Sequence, residues 1–89
     1  MQTFDFGEAL RLLKAGRRVT RVGWNGKGMF VYYVPANSYP AMTPVARMVF
    51  GETVPYRAYL AMKTAQGDVV TWTISVSDAL EDDWTEVED

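Results

Sequence analysis

Neither cysteine nor histidine occurs in this 89-residue chain. The first absence excludes disulfides and thiolate nucleophiles. The second excludes imidazole as a base, and the two together remove the usual zinc ligand sets. Catalysis would fall to carboxylates, hydroxyls, lysine or tyrosine, and no resident metal or cofactor is expected. Long apolar runs are missing as well. None approaches the length of a membrane span, and no signal-like apolar segment follows Met1, so a soluble, cytoplasmic protein is expected. Nor is there an excess of positive charge: the net charge is −2, which argues against a binder of nucleic acid polymers.

What is present is apolar and aromatic. Hydrophobic residues make up 48% of the chain, enough for a folded domain rather than a disordered tail. A chain this short makes a single domain, residues 1–89, and buries only about 60–65% of its unfolded surface. Homo-oligomerisation is one way to bury more. Charge is split along the chain. Residues 1–28 carry six lysines and arginines against two acids, whereas residues 29–89 carry three against nine. That split fits either a local anion site or association between unlike faces.

Asp5 reads as an N-cap with Glu8 as its capping-box partner. Phe6, Ala9, Leu10 and Leu13 follow helical spacing up to Gly16, so a helix is expected from about Phe6 to Ala15. Val19–Val22 and Met29–Val34 read as strands. Both faces of the second are apolar, so it is expected to be covered on both sides. Residues 36–55, with three prolines, read as a long irregular segment holding a turn of helix near Val45–Val49. Tyr56–Lys63 alternates as one strand and Val69–Ile74 returns as its hairpin partner. Ser75 or Ser77 caps a helical turn through Asp78–Leu80, and Trp84–Val87 makes a last edge strand. A helix followed by hairpin-connected strands predicts an α+β domain, its N-terminal helix packed on a small antiparallel sheet. The acidic residues from Glu81 to Asp89 read as a solvated surface.

The densest run is Arg21-Val22-Gly23-Trp24-Asn25-Gly26-Lys27-Gly28-Met29-Phe30. A two-residue turn needs only Asn25-Gly26, so the flanking glycines suggest close approach of backbone to a ligand. Trp24 and Phe30 offer flat faces, while Lys27 and Arg21 offer charge for phosphate. Trp72, Ser75, Ser77 and Asp78 form a second candidate group able to meet ribose or base edges. Arg57 shares a strand face with Tyr59 and Lys63. Each has a competing assignment. Trp24 can fold onto the core, Arg21 and Lys27 can pair with the acidic half, and Ser75 and Asp78 can simply cap a helix.

Phe6-Gly7-Glu8-Ala9-Leu10, Gly16 and the run from Arg21 to Met29 resemble the N-terminal half of the Thoeris anti-defence type-2 family. Tyr56-Arg57, Met62-Lys63 and Trp72, with Ser75, Asp78, Leu80, Asp83 and Trp84, resemble its C-terminal half. Val76 stands where that family often has glutamine. The resemblance implies a small phage protein, a homotetramer with ligand held between protomers. It implies a sponge, which sequesters cyclic ADP-ribose isomers such as glyco-cyclic ADP-ribose, and in some members cyclic dinucleotides, without cleaving them. Its place of action would be the cytoplasm of an infected bacterium. The ligand-binding residues expected are Arg21, Trp24, Asn25, Gly26, Lys27, Gly28, Phe30, Arg57, Trp72, Ser75, Ser77 and Asp78. Two other readings stand beside it: an enzyme that degrades such a signal, and a non-catalytic oligomeric interaction module.

Overall fold

The computed structural model describes residues 1–88; Asp89, the last residue of the expected acidic surface, lies outside them. In chain order the elements are α1 (Phe6–Lys14), β1 (Val19–Arg21), β2 (Phe30–Val34), β3 (Asn37–Pro40), α2 (Pro44–Phe50), β4 (Thr53–Tyr56), β5 (Tyr59–Lys63), β6 (Val69–Thr71), α3 (Val76–Ala79) and β7 (Trp84–Glu86). This is the expected α+β domain with its helix first.

Asp5 caps α1: its Oδ1 accepts from the Glu8 N–H at 3.0 Å. The reciprocal half of the capping box does not form, because the Glu8 carboxylate turns outward to the Arg11 guanidinium at 2.7–2.8 Å. The helix buries Ala9, Leu12 and Leu13. Leu12, rather than the expected Leu10, completes the inward stripe, while Phe6 packs at its edge.

Five antiparallel strands form the main sheet in the order β6-β5-β2-β1-β7. Its register sets Val19 against Val31, Val31 against Met62 and Met62 against Val70. The first three of these, with Ala9, Leu12, Leu13 and the fully buried Trp84, make the core under α1. At the end of the sheet β7 is not a bare edge. Phe4 and Trp84 exchange backbone hydrogen bonds of 2.8 and 3.1 Å.

Side chains alternate along a strand, so the register that points Val31 and Met62 at α1 points Phe30, Tyr32, Val34, Ala61 and Lys63 the other way. No described helix lies on that second face. α1 packs against β1, β2 and β7, and α2 packs against β4. Helix α3 bonds Arg21, which shares Val19's face. The expectation that β2 is covered on both sides is therefore met on one side only within the chain.

Residues 36–55 are not irregular. β3 and β4 pair as a separate two-stranded ribbon, Asn37 opposite Tyr56 and Pro40 opposite Thr53, with α2 joining its outer ends. Prolines are tolerated because a two-stranded ribbon is all edge. The helix start was written in the sequence as Thr43-Pro44: Thr43 Oγ1 accepts from the Ala46 N–H at 3.0 Å, and Pro44 occupies the first turn. The expected strand over Tyr56–Lys63 is in fact two, because the chain leaves the ribbon after Tyr56 and enters the main sheet at Tyr59. Arg57 consequently lies in the link and does not share a strand with Tyr59 and Lys63. β6 ends at Thr71, although Trp72 still donates to the Leu60 carbonyl at 2.8 Å.

Candidate functional site

The loop between β1 and β2 holds the glycine-rich run, and two of its glycines have local causes. A Cβ on Gly26 would sit 1.9 Å from Met29 Sδ and 2.7 Å from Met29 Cγ, so that side chain occupies the space beside the backbone. Gly28 has φ +75°, a conformation side chains resist. The loop is shaped by its own packing before any ligand is considered.

At its start the loop is tied down by charge. Arg21 Nε donates to Asp83 Oδ1 at 2.7 Å, and Arg21 Nη1 donates to Asp78 Oδ1 at 2.7 Å. The Gly23 N–H donates to Asp83 Oδ2 at 2.8 Å. Asp78 Oδ1 also accepts from the Trp24 indole N–H at 3.1 Å, while Asp78 Oδ2 accepts from the Ser75 hydroxyl at 3.0 Å. Ser75 caps α3, its Oγ accepting from the Asp78 N–H at 3.1 Å. Burial pushes the Asp78 carboxyl up, but hydrogen bonds from Arg21, Trp24 and Ser75 outweigh it and hold the group below its ordinary value. The Arg21 hydrogen bond holds Asp83 low against its burial, helped by the Gly23 N–H. Both carboxylates are ionised at neutral pH and poorly suited to donate a proton.

Around this network three indoles meet edge to face. Trp24 lies 5.3 Å from Trp84 and 6.2 Å from Trp72, and Trp72 lies 6.1 Å from Trp84. The structure thus brings Arg21, Trp24, Ser75 and Asp78 together on the α1 side of the sheet with their polar atoms directed at one another, and Trp72 joins them through its ring. Of the alternatives open from sequence, these residues take the core, ion-pair and capping ones. The charge split along the chain is likewise met partly within it, through Arg21 with Asp78 and Asp83 and through Arg17 with Glu86.

The remaining candidates lie elsewhere. Asn25, Lys27 and Gly28 are exposed on the loop, Ser77 is exposed on α3, and Arg57 is exposed in the β4–β5 link. Phe30 begins β2 on the uncovered sheet face. Its ring has the Arg18 guanidinium carbon 5.0 Å from its centroid and the Lys63 ammonium at 5.8 Å. Lys63 Nζ also donates to the Gly28 carbonyl at 3.2 Å, fixing the ammonium between loop and ring. The Tyr32 ring stands 6.1 Å from that of Phe30. Two cations over an aromatic ring, beside a loop bearing Lys27, are suited to an anionic molecule. Arg18 and Lys63 were not among the sequence candidates. Lys63 is found only through its register opposite Phe30, which pairs residues 33 positions apart.

Fold and surface together define a small α+β domain with an aromatic sheet face on which two cations lie over Phe30. Residues 4–87 match the family model described as the Thoeris anti-defense 2-like domain. The chain is similar to Thoeris anti-defense 2 of Bacillus phage SP01, at 38% identity over 83 residues that cover 90% of each chain. The chain belongs to the Thoeris anti-defense 2-like family, and membership supports an anti-defence role. No described helix is long and apolar enough to cross a membrane.

Proposed function

We propose that the protein counters immune signalling by binding a cyclic nucleotide and holding it uncleaved. The ligand class is a cyclic ADP-ribose isomer, with cyclic dinucleotides as a second possibility of like chemistry. The observation that carries this reading is the Phe30 ring with Arg18 and Lys63 over it, on a sheet face that no described helix covers. Phe30 stacks a base, an interaction worth about 1–3 kcal/mol. Lys63, Lys27 and Arg18 meet phosphate, with the N–H groups around Gly26–Gly28 beside them. Asn25 and Arg57 are outlying contacts, and Ser77, carried by α3 on the other side of the sheet, would reach the ligand only from another protomer. Arg21, Trp24, Trp72, Ser75 and Asp78 hold the loop in shape, which lowers the ordering cost of binding.

A homotetramer with ligand between protomers, acting in the bacterial cytoplasm, belongs to the same reading. Sequestration needs slow release rather than chemistry. The ionised, ion-paired state of Asp78 and Asp83 favours it over hydrolysis.

Calorimetry of the purified protein with cyclic ADP-ribose isomers and cyclic dinucleotides tests the proposal. Wild type binds at least one of them, and folded Phe30→Ala and Lys63→Ala variants bind it at least tenfold more weakly. Heat-denaturing the loaded protein returns the ligand intact. Hydrolysed ligand would favour an enzyme, and silence toward every ligand would leave an interaction module.

A further inference from the structure

The loop of residues 23–28 is strung between two charged side chains from distant parts of the chain. At its far end Lys63 Nζ donates to the Gly28 carbonyl at 3.2 Å. At its near end the Gly23 N–H donates to Asp83 Oδ2 at 2.8 Å. An ammonium holds a carbonyl and a carboxylate holds an amide, so each backbone group meets the charge that strengthens its hydrogen bond.

The near anchor is fixed from both sides. Arg21 stands opposite Trp84 in the sheet register, and the Val22 N–H donates to the Asp83 carbonyl at 3.0 Å. Backbone pairing therefore delivers Asp83 to the start of the loop. Arg21 Nε and Nη2 hold its carboxylate in place at 2.7 and 3.2 Å. Position 23 is matched to this arrangement. A Cβ there would stand 2.8 Å from Asp83 Oδ2 and 3.2 Å from Arg21 Nη2, so only glycine lets the loop close on the carboxylate.

Asp83 lies with Arg21 on the α1 side of the sheet, whereas Phe30 faces the other way. It is out of reach of a molecule bound over Phe30 and can act on one only through the loop. Fixing the first peptide of the loop sets the path of those that follow, and with it the placement of Lys27 and of the amides at Gly26–Gly28. A loop already held in its binding shape loses less freedom when a ligand arrives.

We infer that Asp83 is a positioning residue for ligand binding, which acts through the Gly23 N–H to hold the 23–28 loop in the conformation that meets phosphate. The inference rests on the binding reading above. Two variants test it. Asp83→Asn disturbs the whole anchor. An ester in place of the Val22–Gly23 amide, made in a chemically assembled chain, removes only the N–H and leaves Asp83 and Arg21 intact. Backbone order parameters at residues 24–28 are expected near 0.85 in the free wild type and below about 0.6 in both variants. Affinity for glyco-cyclic ADP-ribose or a cyclic dinucleotide, whichever wild type binds, should fall at least tenfold in both. Thr85→Val is the control for stability alone. It loses a hydroxyl hydrogen bond to the Gln2 carbonyl on the same strand, and should leave loop order unchanged and affinity within twofold. The ester decides the matter if Asp83→Asn does not fold. An ordered loop in the ester chain, a loosened loop with affinity within twofold, or an equal loss in Thr85→Val overturns the inference. Should wild type bind neither probe, the binding reading falls, and with it this role of Asp83, while the order parameters still report whether Asp83 sets the loop.

Discussion

Arg21 and Asp83 meet through two hydrogen bonds, of 2.7 and 3.2 Å, that join the end of β1 to the residue preceding β7. The second oxygen of Asp83 continues to the Gly23 N–H. One carboxylate therefore fastens the glycine-rich loop to the opposite end of the chain. The Arg21 side chain is only 14% exposed, so the charges are poorly screened and depend on one another.

Removing the cation should be costly. Arg21→Ala leaves Asp78 and Asp83 facing each other without their shared partner and is expected to destabilise by about 3 kcal/mol. Asp83→Asn keeps the shape and one acceptor, and is expected to cost about 1–2 kcal/mol. Urea midpoints at constant m-value give both numbers. Equal, negligible effects would mean the network is ornamental.

Acid should weaken the fold through the same groups. Asp78 and Asp83 sit below their ordinary value of 3.8 in the folded state. Their stabilisation is thus full above the unfolded carboxylate value and is lost as pH falls through the lower folded values. Arg21 is shifted upward, so its contribution is complete throughout the acid range and adds no slope there. Wild-type stability is expected to be flat from neutral pH down to about pH 5 and to fall below pH 4. In Arg21→Ala the fall should be shallower, as thermal melts at several pH values will show.

Gly26 and Met29 should be coupled. Gly26→Ala forces Met29 aside and is expected to cost about 1–3 kcal/mol. With Met29→Ala already present, only the 3.2 Å approach to Ala65 Cβ remains, and the same change should cost clearly less. Additive costs in a double-mutant cycle would show that Met29 is not the reason for glycine at position 26.

Trp24 separates the two assignments for the indole. Trp24→Phe keeps a ring against Trp72 and Trp84 but loses the N–H to Asp78, for an expected cost of about 1 kcal/mol. If the ligand sits on the Phe30 face, its affinity should change less than twofold. A folded Trp24→Phe protein, its ring packing kept, that no longer binds would relocate the site to the indole cluster.

Local signals were legible. The cap at Asp5, the stop at Gly16, the β2 run and the Ser75 cap are each contained in a few neighbouring residues, so propensity and capping chemistry suffice to read them. The helical turn expected near Val45–Val49 was equally local and is α2, whereas the prolines of β3 and β4 masked the ribbon, because they suggest a loop unless it is known to have no inner strand. The division of Tyr56–Lys63 into two strands could not be read, since alternation continues across the break while the chain changes sheets.

The sequence by itself determined the class of the domain, the absence of thiol and imidazole chemistry, and which residues are rare enough to matter. Those follow from composition and short-range spacing. Tertiary structure alone decided where these residues point. Trp24 and Arg21 turn inward because carboxylates from 54 and 62 positions away arrive beside them. Phe30 remains on an uncovered face, with Lys63 delivered to it by strand register. Spatial neighbours so distant in sequence are selected by packing of the whole sheet, and no local window contains them.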